Sequence, residues 1–312
     1  MSGLPTRRFA LPERDELRSA SPWVWVLLLL AAVQMATRIH VADLTLSNPY
    51  SFTNVIAVLL APIALVIAAA LTFVAPRERV IQVAALGLAL PQVIELVRLL
   101  VPRIEDAIGQ SAAWDLLPQR LYEWTDALSS VTWVLTLAGL LALAVYIGGV
   151  RSRAGWLIVL GSAVLAVALA GVQLSNWLSL VDQIGDGLIL AGSDRPSLLD
   201  LALGFASQLV IVGWGYLLAV AYEKRMRLLA VGATAALMTH IPYLLTVTIL
   251  LDWTQQDQSG MNLAVISLVA DVFILVYAVV FIGGVLTELP RHGRISESDG
   301  RIRSAEAFSA GR

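Results

Sequence analysis

Residues 134–172 read "VLTLAGLLALAVYIGGVRSRAGWLIVLGSAVLAVALAGV", two apolar runs separated by a short turn. The only charged residues of the stretch are Arg151 and Arg153, and both lie in that turn. An apolar run of about 20 residues is long enough to cross ~30 Å of hydrocarbon as an α-helix. The stretch therefore predicts two membrane-spanning helices that are joined at a membrane surface.

The same pattern continues along the chain of 312 residues, which is 58% hydrophobic and 14% charged, with a mean hydropathy of +0.78. This composition is more apolar than that of soluble globular proteins. Eight apolar runs, numbered here as spans 1 to 8, cover approximately residues 22–41, 52–75, 80–101, 129–150, 155–181, 198–222, 228–251 and 262–287. The predicted fold is an all-α, polytopic integral membrane helix bundle with eight transmembrane helices.

The segments outside the spans complete the predicted organisation. Residues 1–21 form a charged lead without the features of a cleavable signal peptide, so span 1 is expected to remain as an anchor. Residues 288–312 have too little apolar content to pack and are expected to be disordered. Residues 102–128, between spans 3 and 4, carry apolar and charged side chains on opposite helical faces, which is typical of an interfacial helix. An interfacial connector and a lid over an outer cavity both fit that pattern.

The distribution of basic residues predicts the orientation of the bundle. Most of the 21 Lys and Arg residues lie in the lead, in the tail and in the loops after spans 2, 4 and 6. Cytoplasmic loops of membrane proteins collect Lys and Arg. We therefore expect both termini in the cytoplasm, with the protein in a bacterial cytoplasmic membrane.

A weak internal repeat is visible in the sequence. Span 4 ends in "YIGGV" at residues 146–150, span 8 contains "FIGGV" at residues 281–285, and spans 3 and 7 carry mid-span prolines at Pro91 and Pro242. Corresponding helix breaks in two halves indicate a midplane site in transporters, because proline frees backbone carbonyls that must then face protein or water. The pattern suggests two parallel halves of four helices. The alternative is chance, since the string is short and proline is common in membrane helices.

Polar residues inside the spans are the candidate functional residues. An ionisable side chain at the centre of a membrane helix costs roughly 2.5–3.5 kcal/mol on insertion, so each such residue is a hypothesis of function. Most of the polar side chains lie in the predicted outer half of the bilayer, so a polar cavity should open outward. The set comprises Gln34, Arg38, Gln92, Glu95, Arg98, Gln173 and Asn176 in the outer half, and His240 and Asp271 near mid-depth.

Two pairings follow from depth along the helices. Glu95 is too deep to reach the interface and needs a partner, and Arg98, one turn away on the same helix, is the expected one. Arg98 itself is close enough to the end of its span to reach the interface. His240 and Asp271 have similar depths in adjacent spans, so a hydrogen bond between them could relay protons. The alternative for all of these residues is polar contact between packed helices.

Several classes of protein are excluded. There is no cysteine, so there can be no disulfide and no thiolate metal site. No phosphate-binding or dinucleotide-binding glycine motif occurs, so the chain has no nucleotide-binding domain. The net charge is -2 and the basic residues are dispersed, which gives no surface for nucleic acid. We expect no metal site and no cofactor.

Three functional hypotheses remain. The first is a carrier or ligand-binding membrane protein with a site open to the outer side, in which Glu95, His240 and Asp271 handle charge or protons. The second is a non-catalytic subunit or assembly factor whose polar residues contact other proteins in the membrane. The third is an intramembrane enzyme acting on lipid-linked substrates, with Glu95 or Asp271 as a base, but the sequence provides no nucleophile or metal ligands to accompany them. Membrane lipids are partners in every case.

Overall fold

The computed structural model describes residues 21–41, 62–108, 128, 132–185, 198–241 and 259–290. Regular structure in these ranges is α-helical, with no strand, and each of the eight apolar runs contains a helix. Most of the interfacial segment at 102–128, the lead and most of the tail lie outside the described residues. The helices are α1 (Pro22–Val41), α2 (Ile63–Val74), α3 (Arg79–Ile108), α4 (Thr132–Ile147), α5 (Arg153–Gly185), α6 (Leu198–Ser207), α7 (Leu209–Glu223), α8 (Arg227–Met238) and α9 (Ser259–Thr287).

The lengths and composition of these helices are those of an integral membrane protein. Four helical segments of the described chain are long and apolar enough to cross a bilayer: Arg79–Leu100, Arg153–Ser175, Leu201–Glu223 and Leu268–Thr287. The third of these joins α6 and α7, which meet at Gln208. Four shorter apolar helices accompany them: Pro22–Arg38, Ile63–Val74, Thr132–Ile147 and Arg227–Met238. The chain is therefore a multi-helix membrane protein.

Six of the nine described helices form a closed ring, with α1 and α5 outside it and α6 leading into α7. Around the ring, α2 packs on α3, α3 on α4, α4 on α7, α7 on α8, α8 on α9, and α9 packs back on α2. Helix α1 lies outside the ring against α2 and α3, and α5 lies outside it against α7 and α6. The outward face of α5 is apolar and exposed at Leu157, Leu160, Val164 and Val167, as expected for contact with lipid.

Close backbone contacts at glycine hold neighbouring helices of the ring together. A methyl group added at Gly87 of α3 would lie 2.6 Å from the Cα atom of Gly139 in α4. In the α8–α9 pair, a methyl group at Gly232 would lie 2.9 Å from the Cα atom of Phe281. Lipid is as apolar as the side chains, so membrane helices associate largely through such close van der Waals packing. These glycines therefore set how closely the helices of the ring approach.

An aromatic cluster fills the bundle between α7 and α9. The ring centroid of Trp214 lies 5.2 Å from that of Tyr277 and 5.5 Å from that of Phe281, both in edge-to-face geometry. Phe281 is fully buried and Trp214 is buried. Trp214 is nine residues before the end of α7 at Glu223, which is ~14 Å along the helix axis. The cluster therefore lies in the half of the bundle nearer to the arginine-containing turns.

Two carboxylates join helices at the end of the bundle that carries Arg151 and Arg227. Glu223, at the end of α7, accepts hydrogen bonds from the Ser152 backbone N–H at 2.8 Å and the Ser152 hydroxyl at 2.7 Å, at the start of α5. Glu288, just after α9, accepts from the N–H groups of Leu228 and Leu229 in the first turn of α8, both at 3.1 Å. Glu288 thereby satisfies backbone donors that the first turn of α8 leaves free, and its charge complements the helix dipole.

Replacing Glu288 with alanine is expected to lower the free energy of unfolding by about 1 kcal/mol, because two backbone donors of α8 lose their acceptor. The measurement is thermal or denaturant unfolding in detergent micelles. Glu288→Gln is the control, since glutamine keeps an acceptor oxygen and loses the charge. An equal loss of unfolding free energy in both variants would show that the effect comes from the charge of Glu288 and not from its hydrogen bonds to α8.

Candidate functional site

Two polar pairs connect α1 and α3. Gln34 Nε2 donates to Gln92 Oε1 at 2.9 Å, and one turn along the helices an Arg38 Nη2 donor meets Glu95 Oε1 at 3.0 Å. Gln34 and Arg38 are four residues apart on α1, and Gln92 and Glu95 are three apart on α3. Both spacings correspond to about one helical turn, so the two pairs are neighbours along the helices. We call these four residues the polar seam.

The ion pair of the seam joins two helices. Glu95 pairs with Arg38 of α1, a partner on a different helix that the sequence did not single out. The side chains of Arg38 and Glu95 are 37% and 33% exposed, so both retain access to solvent or to a ligand. A half-exposed pair of this kind contributes little to stability by itself, because solvent screens it.

A cavity of about 340 Å³ adjoins the seam on the side away from α1. Because Gln92 and Glu95 belong both to its wall and to the seam, the cavity and the ion pair are parts of one site. The rest of the wall comes from α3, α4 and α7 and comprises Pro91, Ile94, Thr132, Trp133, Thr136 and Val210. The site therefore combines one carboxylate, one amide, an indole and threonine hydroxyls.

Some buried polar atoms of this region lack hydrogen-bond partners. They are the Trp133 indole nitrogen Nε1, the Gln34 side-chain oxygen Oε1 and the Arg38 nitrogen Nε. Gln34 is only 1% exposed. Nearly all buried polar atoms in proteins are paired, and an unpaired one costs free energy comparable to a lost hydrogen bond. The region thus has hydrogen-bonding capacity that the described protein groups do not use.

Pro91 does not interrupt its helix. Helix α3 continues from Arg79 to Ile108 through this residue, so the break that the sequence suggested is not formed there. Since proline has no N–H, it leaves the carbonyl of Gly87, four residues earlier, without its usual helical donor. Gly87 is also the point of closest approach to α4. Pro242 lies outside the described residues.

Asp271 and His240 are not joined. Asp271 of α9 is 7% exposed, and its Oδ2 atom is buried without a hydrogen-bond partner. His240 follows the end of α8 and is half-buried, and no hydrogen bond links these two side chains in the described structure. Similar depth does not determine the direction in which a side chain points, and that direction decides whether two residues meet.

Gln173 belongs to a separate contact. Its side chain lies against Gly204 of α6, where an added methyl group would be 3.4 Å from Gln173 Oε1. That oxygen is also buried without a partner. Asn176 lies on the same helix, but its side chain is outside the described part of the structure. Helix α5 packs on α7 and α6, away from the polar seam, so Gln173 is not part of the cavity.

The structure thus brings Pro91, Gln92 and Glu95 together and adds residues that the sequence did not single out. In the sequence, Trp133 lies where aromatic residues of a membrane interface are expected, and nothing in the sequence distinguishes Thr136. Both become part of the wall only because α4 packs on α3. Within the described residues, no group of three His, Asp or Glu side chains could hold a metal ion.

Comparisons of the sequence with protein-family models and with curated proteins, and of the fold with solved structures, give no match. The function is therefore argued from the site itself.

Proposed function

We propose that this chain is a membrane carrier or ligand-binding protein whose site is the cavity beside the Arg38–Glu95 ion pair, in the outer half of the bilayer. The proposal includes eight membrane spans with both termini in the cytoplasm. The observation that carries it is the cavity of about 340 Å³ that has Glu95 in its wall. That volume lies within the range of roughly 300–1,000 Å³ found for small-molecule sites.

The chemistry of the site favours a small polar or charged ligand. Glu95 and Arg38 provide one negative and one positive group, and Trp133 provides an indole N–H without a partner. A ligand that bears a charge can replace one member of the ion pair. Coupling of ligand binding to a proton is part of the proposal, because such an exchange changes the charge at the site.

The arrangement of polar and aromatic groups supports an outward opening. Glu95 is 16 residues from the start of α3 at Arg79, or ~24 Å along the axis. The aromatic cluster of Trp214, Tyr277 and Phe281 fills the opposite half of the bundle. An aromatic cluster in that half favours access to the cavity from the other membrane surface, and the proposal places its opening there.

The helix contacts support a duplication into two halves. In this comparison α1, α2, α3 and α4 of the first half correspond to α5, α7, α8 and α9 of the second half. The contacts α1–α2, α2–α3 and α3–α4 then correspond to α5–α7, α7–α8 and α8–α9, and all six contacts exist. The contact of α4 with α7 likewise becomes the contact of α9 with α2. The α1–α3 contact at the polar seam is the asymmetric feature. Carriers built from two repeats commonly work by movement of one half against the other.

Glu95→Gln is expected to weaken ligand binding at least about tenfold, because a charge-assisted hydrogen bond contributes about 1.5–3 kcal/mol. The measurement is a thermal-shift screen of small charged and polar compounds on detergent-purified protein, starting with whatever co-purifies. A compound that raises the melting temperature of the wild type is then titrated against each variant.

Glu78→Gln serves as the matched control, since it makes the same chemical change in an exposed turn. It should bind the compound as the wild type does. Equal binding by Glu95→Gln and the wild type would contradict the proposal, as would a wild type that no compound stabilises.

A subunit role is the second candidate, favoured by the open glycines of α5. At Gly161 and Gly171 an added methyl group would meet no atom within 4 Å, and α5 lies outside the ring. Small residues on an exposed membrane helix allow another helix to approach closely. Native mass spectrometry separates the two roles: a stoichiometric protein partner that Gly161→Leu removes and Glu95→Gln leaves bound would favour the subunit.

A further inference from the structure

A second cavity lies at the other end of the bundle, where α5 begins and where α7 turns into α8. Its volume is about 880 Å³, and its wall includes Arg151, Tyr222, Glu223, Arg225 and Arg227. All three arginine side chains are exposed. This cavity shares no residue with the one beside Glu95.

The charge of this cavity is positive. Three arginines line it against one acidic residue, Glu223, and the carboxylate of Glu223 is already occupied by the N–H groups of Arg151 and Ser152 and by the Ser152 hydroxyl. Within the part of the chain that the structure describes, no ion pair is formed by the guanidinium groups of Arg151, Arg225 and Arg227. Three guanidinium groups without partners around one cavity are suited to a phosphate group.

The backbone at Arg225 is an independent observation. Its φ angle is +57°, and among the described residues it is the one non-glycine with positive φ. The N–H of Met226 donates to the Ala221 carbonyl at 2.9 Å, which closes the end of α7 in the manner of a Schellman motif. The left-handed position in that motif is usually glycine, because a side chain there is sterically unfavourable. An arginine at a position that favours glycine points to a role for its side chain.

The surroundings of the cavity favour a lipid over a free anion. Tyr222 in its wall is 58% exposed, and on α5 the neighbouring Trp156 and Leu157 are 56% and 66% exposed. Exposed aromatic residues at the end of a membrane helix lie at the level of the lipid headgroups, and apolar ones beyond them contact acyl chains. Basic pockets between membrane helices bind anionic headgroups.

We propose that this cavity binds the phosphate headgroup of an anionic phospholipid, with Arg151, Arg225 and Arg227 around the phosphate and the acyl chains along α5. Arg225 takes a strained backbone conformation in order to present its guanidinium group there. This site is independent of the ligand site beside Glu95.

The test is lipid binding by native mass spectrometry of the full chain in detergent, with phosphatidylglycerol, phosphatidylcholine and inorganic phosphate as probes. Phosphatidylglycerol is expected to bind at least tenfold more tightly than phosphatidylcholine, and inorganic phosphate is expected to bind weakly. Arg225→Gly is expected to reduce phosphatidylglycerol binding at least tenfold while its melting temperature without lipid stays equal to that of the wild type or rises, because glycine suits the backbone.

Arg77→Gln is the matched control, because it removes one exposed positive charge in the turn before α3, outside the cavity. It should change binding less than twofold. Full phosphatidylglycerol binding by Arg225→Gly, or an equal loss in Arg77→Gln, would overturn the proposal. Binding of inorganic phosphate as tight as that of phosphatidylglycerol would overturn the assignment to a lipid. If Arg225→Gly is less stable than the wild type, the test uses Arg227→Gln instead. That variant must then show the same loss of phosphatidylglycerol binding.

Discussion

Gly87→Ala is expected to lower the free energy of unfolding by about 3 kcal/mol, near the upper end for overpacking of a well-packed core. The added methyl group would lie 2.6 Å from both the Gly139 Cα atom and the Leu135 carbonyl oxygen. Both of these atoms belong to the backbone of α4, so no side-chain rotation can relieve the clash. Helices α3 and α4 would have to move apart, and both carry residues of the cavity beside Glu95.

The matched control for this prediction is Gly283→Ala in α9. An added methyl group at Gly283 meets no atom within 4 Å. Alanine is a better helix former than glycine by about 1 kcal/mol, so this variant should be as stable as the wild type or more stable. Denaturant unfolding in detergent, followed by circular dichroism, measures both variants. If the two substitutions have the same effect, the α3–α4 approach is not as close as the structure describes.

Arg38→Met is expected to destabilise the protein by about 1 kcal/mol, because it leaves the Glu95 carboxylate, which solvent partly screens, without its partner. Glu95→Gln should have a smaller effect, since glutamine still accepts a hydrogen bond from Arg38. The double variant Arg38→Met/Glu95→Gln should be more stable than the sum of the two single effects predicts. A coupling free energy of about 0.5–1 kcal/mol is expected from the double-mutant cycle.

Arg38→Lys refines this measurement. Lysine keeps the positive charge but lacks the planar set of donors, so it should restore part of the lost stability. Additive effects of the single substitutions in the cycle would contradict a direct ion pair between Arg38 and Glu95. A ligand found in the thermal-shift screen should raise the melting temperature of the wild type but not that of the double variant. This result would link the ion pair to ligand binding.

The sequence was sufficient to predict the all-helical character of the described residues and to identify which polar residues are unusual. Hydropathy is a local property, and each apolar run contains a helix in the described residues. Gln92 and Glu95 were recognisable because polar groups inside an apolar run are costly. Asp271 was recognisable for the same reason, and the structure shows it buried.

The tertiary structure decided which residues meet. Neither the pairing of Glu95 with Arg38 nor the position of Trp133 in the cavity wall can be read from spacing along the chain. The expected hydrogen bond between His240 and Asp271 is not among those of the described residues. The physical reason is that hydropathy determines how deep a residue lies in the membrane but not how its helix is rotated. That rotation is set by close contacts between distant residues, such as Gly87 with Gly139, where the absence of side chains allows one particular pair of helix faces to approach.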